Sequence, residues 1–451
     1  MTEQRSISWG EALSIYTKKP VLAMILLGFS AGLPFLLVFS TLSAWLAEAG
    51  VTRTAIGFFA WVGITYSIKV LWAPVVDRLP LPLLGALLGQ RRSWIMLAQL
   101  GIAAALVSMA YLDPVTQLFW VAVAAVVVAF CSATQDVAID AYRIEAAIDE
   151  YQGAMSAAYI FGYRVALLVA GAGALLIAED YSWSISYLVM AGCMSIGLVT
   201  VIVLREPSHV QDRFAAQLEQ DLVLELLGEN SNFAGQSKLK QWLLISVVCP
   251  FLEFFKRNGR FALVILLFIS VFRLSDITMG MMANPFYLDM GYSKGEIASI
   301  AKFFGFFMTI LGSALCGVLV VKWGIYRSLL LGAVLVASTN LLFALLAALG
   351  SADLSWLAVV ISADNLSGGI SSTAFIAYLS SLTNRSYTAT QYALFSSLMT
   401  LPGKFISGFS GMVVDGLGYS EFFIFAALAG IPAIVLVVVV MRRAEKLQFR
   451  Q

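Results

Sequence analysis

The sequence predicts an all-α integral membrane protein of twelve transmembrane helices in two six-helix lobes. Three observations predict it. Of 451 residues, 60% are hydrophobic and only 12% charged, against roughly 45–50% and about 25% in soluble domains. Apolar runs near the roughly 20 residues that cross hydrocarbon as a helix recur along the whole chain. Basic residues concentrate in alternate connections between those runs, as loops on one side of a membrane do. The net charge of +1 gives no field to gather nucleic acid. The lone histidine, His209, excludes histidine-rich metal sites and histidine proton relays, so any transferred proton must ride on carboxylates. Cys131, Cys193, Cys249 and Cys316 are scattered without a CxxC and read as small buried hydrophobes. No metal or cofactor is expected.

The spans fall at 20–46, 55–76, 94–111, 116–142, 153–178, 183–204, 261–286, 295–321, 328–349, 354–382, 391–414 and 421–441. Arg5, Lys18 and Lys19 precede a long first run with no small-residue cleavage site, so that run is expected to stay in place. One set of connections holds Arg78, Arg91 and Arg92, then Arg205, Arg213, Lys238, Lys240, Lys256, Arg257 and Arg260, then Lys322, Arg327 and Arg385. The other set holds only Arg53 and Lys294. Both termini are therefore expected in the cytoplasm.

Residues 205–260 form the long interruption, separating an N-terminal lobe, 1–204, from a C-terminal lobe, 261–451. Within it, Phe214, Leu218, Leu222 and Leu226 recur every four residues, an amphipathic helix. The run from Trp242 to Cys249, closed by Pro250 and followed by Phe251, Phe254 and Phe255, is too short to span. It is expected to lie at the membrane interface with its aromatic face among headgroups. The lobes echo each other: Gly50-Val-Thr-Arg-Thr-Ala-Ile56 opens the second span and Gly291-Tyr-Ser-Lys-Gly-Glu-Ile297 the eighth. A six-plus-six repeat with a long central loop is the plan of a secondary transporter.

Charged residues inside spans are costly and mark aqueous paths or protein interiors. They occur at Lys69, Asp136, Asp140, Arg143, Arg164, Arg273, Asp276, Lys302, Asp364 and Lys404, and spans 3, 6, 9 and 12 carry none in their apolar stretches. That predicts four peripheral helices around eight that enclose a polar path. Arg164, Arg273, Asp276, Asp364 and Lys404 fall near mid-membrane. Asp136, Asp140 and Arg143 share one helical face. Plainer readings exist: Arg273 and Asp276 neutralise each other, Lys69 snorkels, Asp140 and Arg143 form an end latch. Asp77-Arg78 with Arg91-Arg92 reads as a conformational latch or topology signal. Six cations against four carboxylates favour an anionic substrate. Ala166, Ala170 and Ala174, and Gly403, Ser407 and Gly411, are spaced for close helix packing. Gly28-Phe-Ser-Ala-Gly-Leu-Pro34 either breaks the first span or merely kinks it, and Gly368-Gly369 beside Asn365 is expected to loosen the tenth.

Several of these stretches resemble the AmpG-type muropeptide permeases of the major facilitator superfamily. The resemblance rests on Gly28 to Pro34, Lys69-Val-Leu-Trp-Ala-Pro-Val-Val-Asp-Arg78, Ala129-Phe-Cys-Ser-Ala-Thr-Gln-Asp136, Gly162-Tyr-Arg164, Asp364-Asn-Leu-Ser-Gly-Gly369 and Ala389-Thr-Gln-Tyr-Ala-Leu-Phe395. It implies a major facilitator fold and a bacterial inner-membrane importer of anhydro-muropeptides, driven by the proton gradient and feeding peptidoglycan recycling and β-lactamase induction. It implies functional positions at Gly28, Gln135 and Asp136. The long apolar loop from Leu79 to Gln90 departs from the family pattern, and some relatives have additional C-terminal spans beyond the twelve expected here.

Together these readings expect proton-coupled import of an anionic sugar-peptide by a monomer in lipid. Lys69, Arg164, Arg273 and Lys404 are expected to hold substrate, with Gln135, Asn365 and Gly28. Asp136 leads the proton carriers, ahead of Asp364 and Asp276. Asp77, Arg78, Asp140, Arg143, Lys322 and Arg327 are expected to gate. Transport of another anion, such as a CoA thioester or short peptide, fits the same lobes. Against a membrane-embedded transferase, the sequence offers no HExxH, no metal cluster, no His-Asp pair and no sizeable extramembrane domain. A channel lacks the expected pore-lining rings.

Overall fold

The computed structural model describes residues 14–51, 55, 59–146, 151–207, 217, 221, 244–297, 299–300, 304–350, 352–407 and 409–448. Every regular element among the described residues is helical. Nine helical stretches among them are long and apolar enough to cross a bilayer, and these match the first, third through ninth and twelfth expected spans. The tenth and eleventh, Leu354–Leu382 and Thr388–Ser407, are full-length helices diluted by serine, threonine, asparagine and glutamine. The second is where the chain departs from a simple helix.

That span is a string of short pieces, Ala60–Gly63, Ile64–Ser67, Lys69–Leu71 and Ala73–Arg78. Pro74 accounts for the last interruption. It has no N–H to give, and its ring collides with the carbonyl four residues back, so it opens a helix rather than continuing one. Lys69 sits in the interrupted stretch.

Of the two courses open to its glycine-proline motif, the first span does not take the break. Helix Lys19–Leu37 runs unbroken through Pro34, and the chain bends only at Val38 and Phe39 before Ser40–Glu48. Pro34 deprives the Ser30 carbonyl of its helical donor. Gln135, from the fourth span, supplies a replacement: its Nε2 donates to that carbonyl at 2.9 Å. Gln99 Nε2 donates to the Ser30 hydroxyl at 3.1 Å. In hydrocarbon an orphaned carbonyl is expensive, so this polar knot is what lets the proline sit mid-helix.

Glycine decides how closely the first and fifth spans cross. A Cβ on Gly28 would lie 2.2 Å from the Tyr159 carbonyl oxygen, and one on Gly162 would lie 1.8 Å from that of Ile25. Backbone meets backbone there. Lipid offers no hydrophobic drive for helix association, so close packing of this kind carries the load. Ala166, Ala170 and Ala174 lie fully buried further along the fifth span, within the first-half core. In the second half Gly369 packs against the eighth span, with a Cβ 2.3 Å from the Thr309 carbonyl oxygen. Helix Leu354–Leu382 is continuous, so Gly368-Gly369 does not loosen it. The second-half core is aromatic, with Phe272 stacked on Phe375 at 4.1 Å, Phe268 edge-on to Phe375, and Tyr378 edge-on to Phe268.

The seventh span divides at Arg273, between Phe261–Phe272 and Leu274–Asp289. The main contacts between the halves join the second, fourth and fifth spans to the eighth, tenth and eleventh. Of the connection, Leu244–Val248 and helix Cys249–Asn258 are described; Phe214, Leu218, Leu222 and Leu226 lie outside the described residues. One face of helix Cys249–Asn258 packs on the protein. Phe254 is buried against Phe395 at 5.1 Å, while Phe255 stays exposed.

Candidate functional site

Five of the charges that the sequence places at membrane depth interact across the halves: Lys69, Arg164, Arg273, Asp276 and Lys404. Lys69 and Asp136 interact electrostatically, as do Asp136 and Asp140. Arg164 lies in the field of Arg273 and Asp276 from the other half, and its side chain is exposed despite its depth. Lys404 is likewise exposed and feels Lys69 across the gap. Its Nζ donates to Ser67 Oγ at 3.3 Å. Arg273 and Asp276 form an ion pair, with Arg273 also donating to Ser372 Oγ at 3.1 Å. Asp364 neighbours Asp276 electrostatically and accepts from Thr339 Oγ1 at 3.5 Å. Exposed ionic groups at this depth line a path open to water rather than lipid. Lys302 lies outside the described residues.

Two of these cross-half pairs carry like charge: Lys69 with Lys404, and Arg164 with Arg273. Like charges drawn together in a narrowing cleft repel more strongly as water leaves. An anion between them reverses that sign.

Beside the cations stands an aromatic wall that sequence inspection did not single out. Phe35 contacts Phe39, Tyr66 and Tyr163 with ring centroids 4.9, 5.9 and 6.5 Å apart, and Tyr163 contacts Tyr159 at 6.0 Å. All five rings are partly exposed. The Asp136 carboxylate lies in the electrostatic range of Tyr66, Tyr159 and Tyr163. A signal was available: Tyr159 and Tyr163 are one helical turn apart beside Arg164, and Tyr66 lies three residues before Lys69.

Three expected ligand residues have other employment. Gly28 is buried at the crossing with Tyr159. Gln135 is fully buried and turned to the first span, repairing the gap left by Pro34. Asn365 accepts from Thr309 Oγ1 at 2.9 Å and donates to the Ile361 carbonyl at 3.0 Å, which ties the tenth span to the eighth.

On the side bearing the basic loops the halves are closed by a buried ionic cluster. Asp77 accepts from Arg91 Nη2 at 2.9 Å and from the amides of Ala389 and Thr390 at 3.0 and 2.6 Å. Those amides open the eleventh span, where helix N–H groups lack internal partners and favour an anion. Arg91 also binds Glu145 at 2.6 Å and Thr388 Oγ1 at 2.7 Å, and Thr388 donates to Glu145. Side-chain exposure is 1% for Arg91 and Asp77 and 4% for Glu145, so the cluster is shut off from water. Arg143 donates to Ser380 Oγ at 2.8 Å while pairing with Asp140 at 3.2 Å, and its guanidinium lies over the Tyr392 ring. Arg78 lies over the Tyr387 ring at 5.0 Å. Tyr16 Oη donates to the Ala314 carbonyl at 2.8 Å. Arg327 is exposed at the rim beside Trp323 and Glu445, and Lys322 ends its own helix. The first half supplies the ions, and the start of the eleventh span receives them.

Residues 24–407 match the family model described as Major Facilitator Superfamily. The chain belongs to the major facilitator superfamily. It belongs there to the AmpG-type permeases: the anhydromuropeptide permease of Escherichia coli K12 is 32% identical over 435 residues, 96% of this chain and 82% of that one. A solved proton:xylose symporter bound to 6-bromo-6-deoxy-D-glucose superposes with a TM-score of 0.63 at 13% identity, covering 95% of each chain. A human organic anion transporter superposes with a TM-score of 0.57 at 13% identity, covering 97% of this chain and 100% of that one. These two show the fold. The chain is thus a multi-pass membrane transporter and not an enzyme.

Proposed function

We propose that this transporter imports anhydro-muropeptides, anionic amino-sugar peptides, together with protons across the bacterial inner membrane for peptidoglycan recycling. The observation that carries the reading is the pairing of like cations across the halves, Lys69 with Lys404 and Arg164 with Arg273. Substrate carboxylates would bridge them and allow the halves to close. The aromatic wall would take the sugar face, as aromatic rings offer apolar area with a polar rim. The 32% identity to a named anhydromuropeptide permease supports the substrate class.

Coupling follows from Asp136, which shares the field of Lys69. Charged, Asp136 holds Lys69; protonated, it releases Lys69 to a substrate carboxylate. Asp364 and Asp276 stand behind it as carriers on the opposite half. The two six-helix lobes would alternate about this site, with Asp77, Arg78, Asp140 and Arg143 closing the basic side. By the positive-inside rule that side and both termini face the cytoplasm.

Proteoliposomes offered labelled anhydro-muropeptide under an inside-alkaline gradient test this. Uptake should follow the gradient. Asp136→Asn should abolish gradient dependence while sparing exchange of internal for external substrate. Unchanged gradient-driven uptake by that variant removes Asp136 from the mechanism. Preferential uptake of a CoA thioester or a short peptide in competition moves the substrate elsewhere among anions.

A further inference from the structure

Glu253, on helix Cys249–Asn258 of the connection between the halves, is a wholly buried carboxylate. Burying a charge costs several kcal/mol unless partners satisfy it. Glu253 is satisfied: Oε1 accepts from Asn384 Nδ2 and Arg257 Nε, each at 3.1 Å, and Oε2 from Gln391 Nε2 at 2.7 Å. Gln391 in turn donates to the Pro250 carbonyl at 2.9 Å and accepts from the Asn384 amide at 2.8 Å. Arg257 Nη2 donates to the Leu382 carbonyl at 2.5 Å. The turn between the tenth and eleventh spans is therefore strapped to this helix at both of its ends.

That turn leads directly into the closure. Thr388, Ala389 and Thr390 meet Asp77, Arg91 and Glu145, and the next residue, Gln391, is the one held by Glu253. A carboxylate that reads two consecutive amides depends on the register of the helix presenting them. The connection reaches the other partner too, because Leu244–Val248 packs against Ala73–Arg78, the helix that carries Asp77.

We propose that Glu253 is a positioning residue for the closed basic side, holding the first turn of the eleventh span where Asp77 and Glu145 can bind it. The proposal rests on the alternating-access reading above but not on the substrate. Replacing the carboxylate by an amide puts an N–H against the Gln391 or Asn384 donors and ends the pair with Arg257.

Hydrogen–deuterium exchange on the full chain in lipid nanodiscs tests it without any ligand. The Ala389 and Thr390 amides have no partner within their own helix, so Asp77 provides their protection. Glu253→Gln should speed exchange in the segment 386–392 by roughly tenfold, a loosening of about 1.4 kcal/mol, while core spans keep their rates. Asp77→Asn should speed the same segment. Glu253→Asp, which keeps a carboxylate for the same donors, should hold exchange nearer the parent rate than Glu253→Gln does. Unchanged exchange at 386–392 overturns the proposal. So does a uniform acceleration across all spans in Glu253→Gln, because that marks a general loss of stability. An absence of muropeptide uptake by the parent protein would defeat the substrate reading and leave the exchange result standing.

Discussion

At the scale of single residues, the informative side chains are those whose chemistry answers a neighbour's defect. Pro34 removes a donor and Gln135 restores one, so the two are energetically a pair. Gln135→Leu leaves the Ser30 carbonyl unpaired and should cost about 1–3 kcal/mol. Pro34→Ala gives the helix its N–H back and should suppress most of that loss. Thermal unfolding of the two single variants and the double variant checks the coupling. Equal losses in the presence and absence of Pro34 would dissolve the pair. This also explains why Gln135 read as a functional position in the sequence: a buried amide in a span is costly wherever its partner lies, and sequence alone did not show that the partner was a carbonyl.

At the scale of elements, helix crossings decide which faces are left for the cleft. The first and fifth spans touch backbone to backbone at Gly28 and Gly162. Gly162→Ala must push the spans apart, since the neighbour is backbone and cannot rotate away. It should destabilise by about 1–3 kcal/mol. Gly192→Ala, where nothing lies within 4 Å of the new Cβ, should be neutral or stabilising. Thermal melts in detergent distinguish the two. The second span shows the limit of pattern reading. Its apolar run predicted one helix, yet Pro74 and the polar cleft turned it into short pieces around Lys69. Hydrophobicity reports that a segment enters the bilayer but says little about how regular its backbone is once protein, rather than lipid, surrounds it.

For the whole molecule, the buried cluster on the basic side opposes the like-charged cleft. One holds the halves together, while the like charges of the other repel as the cleft narrows. Asp77→Asn keeps the shape of the carboxylate but faces an amide nitrogen toward donors from Arg91 or the eleventh span. The population closed on the basic side should fall by roughly tenfold, about 1.4 kcal/mol. Distance measurements between labels at exposed Leu87 and Lys446 should show a longer component in the variant. A distribution identical to that of the parent would mean the cluster does not set the equilibrium.

The sequence by itself determined the twelve-span plan, the alternating basic loops, the family and the short roster of ions worth explaining. The spans, the basic loops and the costly ions follow from transfer free energies that act residue by residue, so composition and order suffice; the family rests on the resemblance of its motifs. Only the tertiary structure decided which of the marked residues face the cleft. Arg164 and Lys404 do, whereas Gly28, Gln135 and Asn365 are engaged in packing. It also brought Glu145, Thr388 and Glu253 into one closure with Asp77, although they lie hundreds of residues apart in some pairings. A polar side chain costs the same in a span whichever way it points. Direction is set by the crossing of helices, and crossings are properties of pairs.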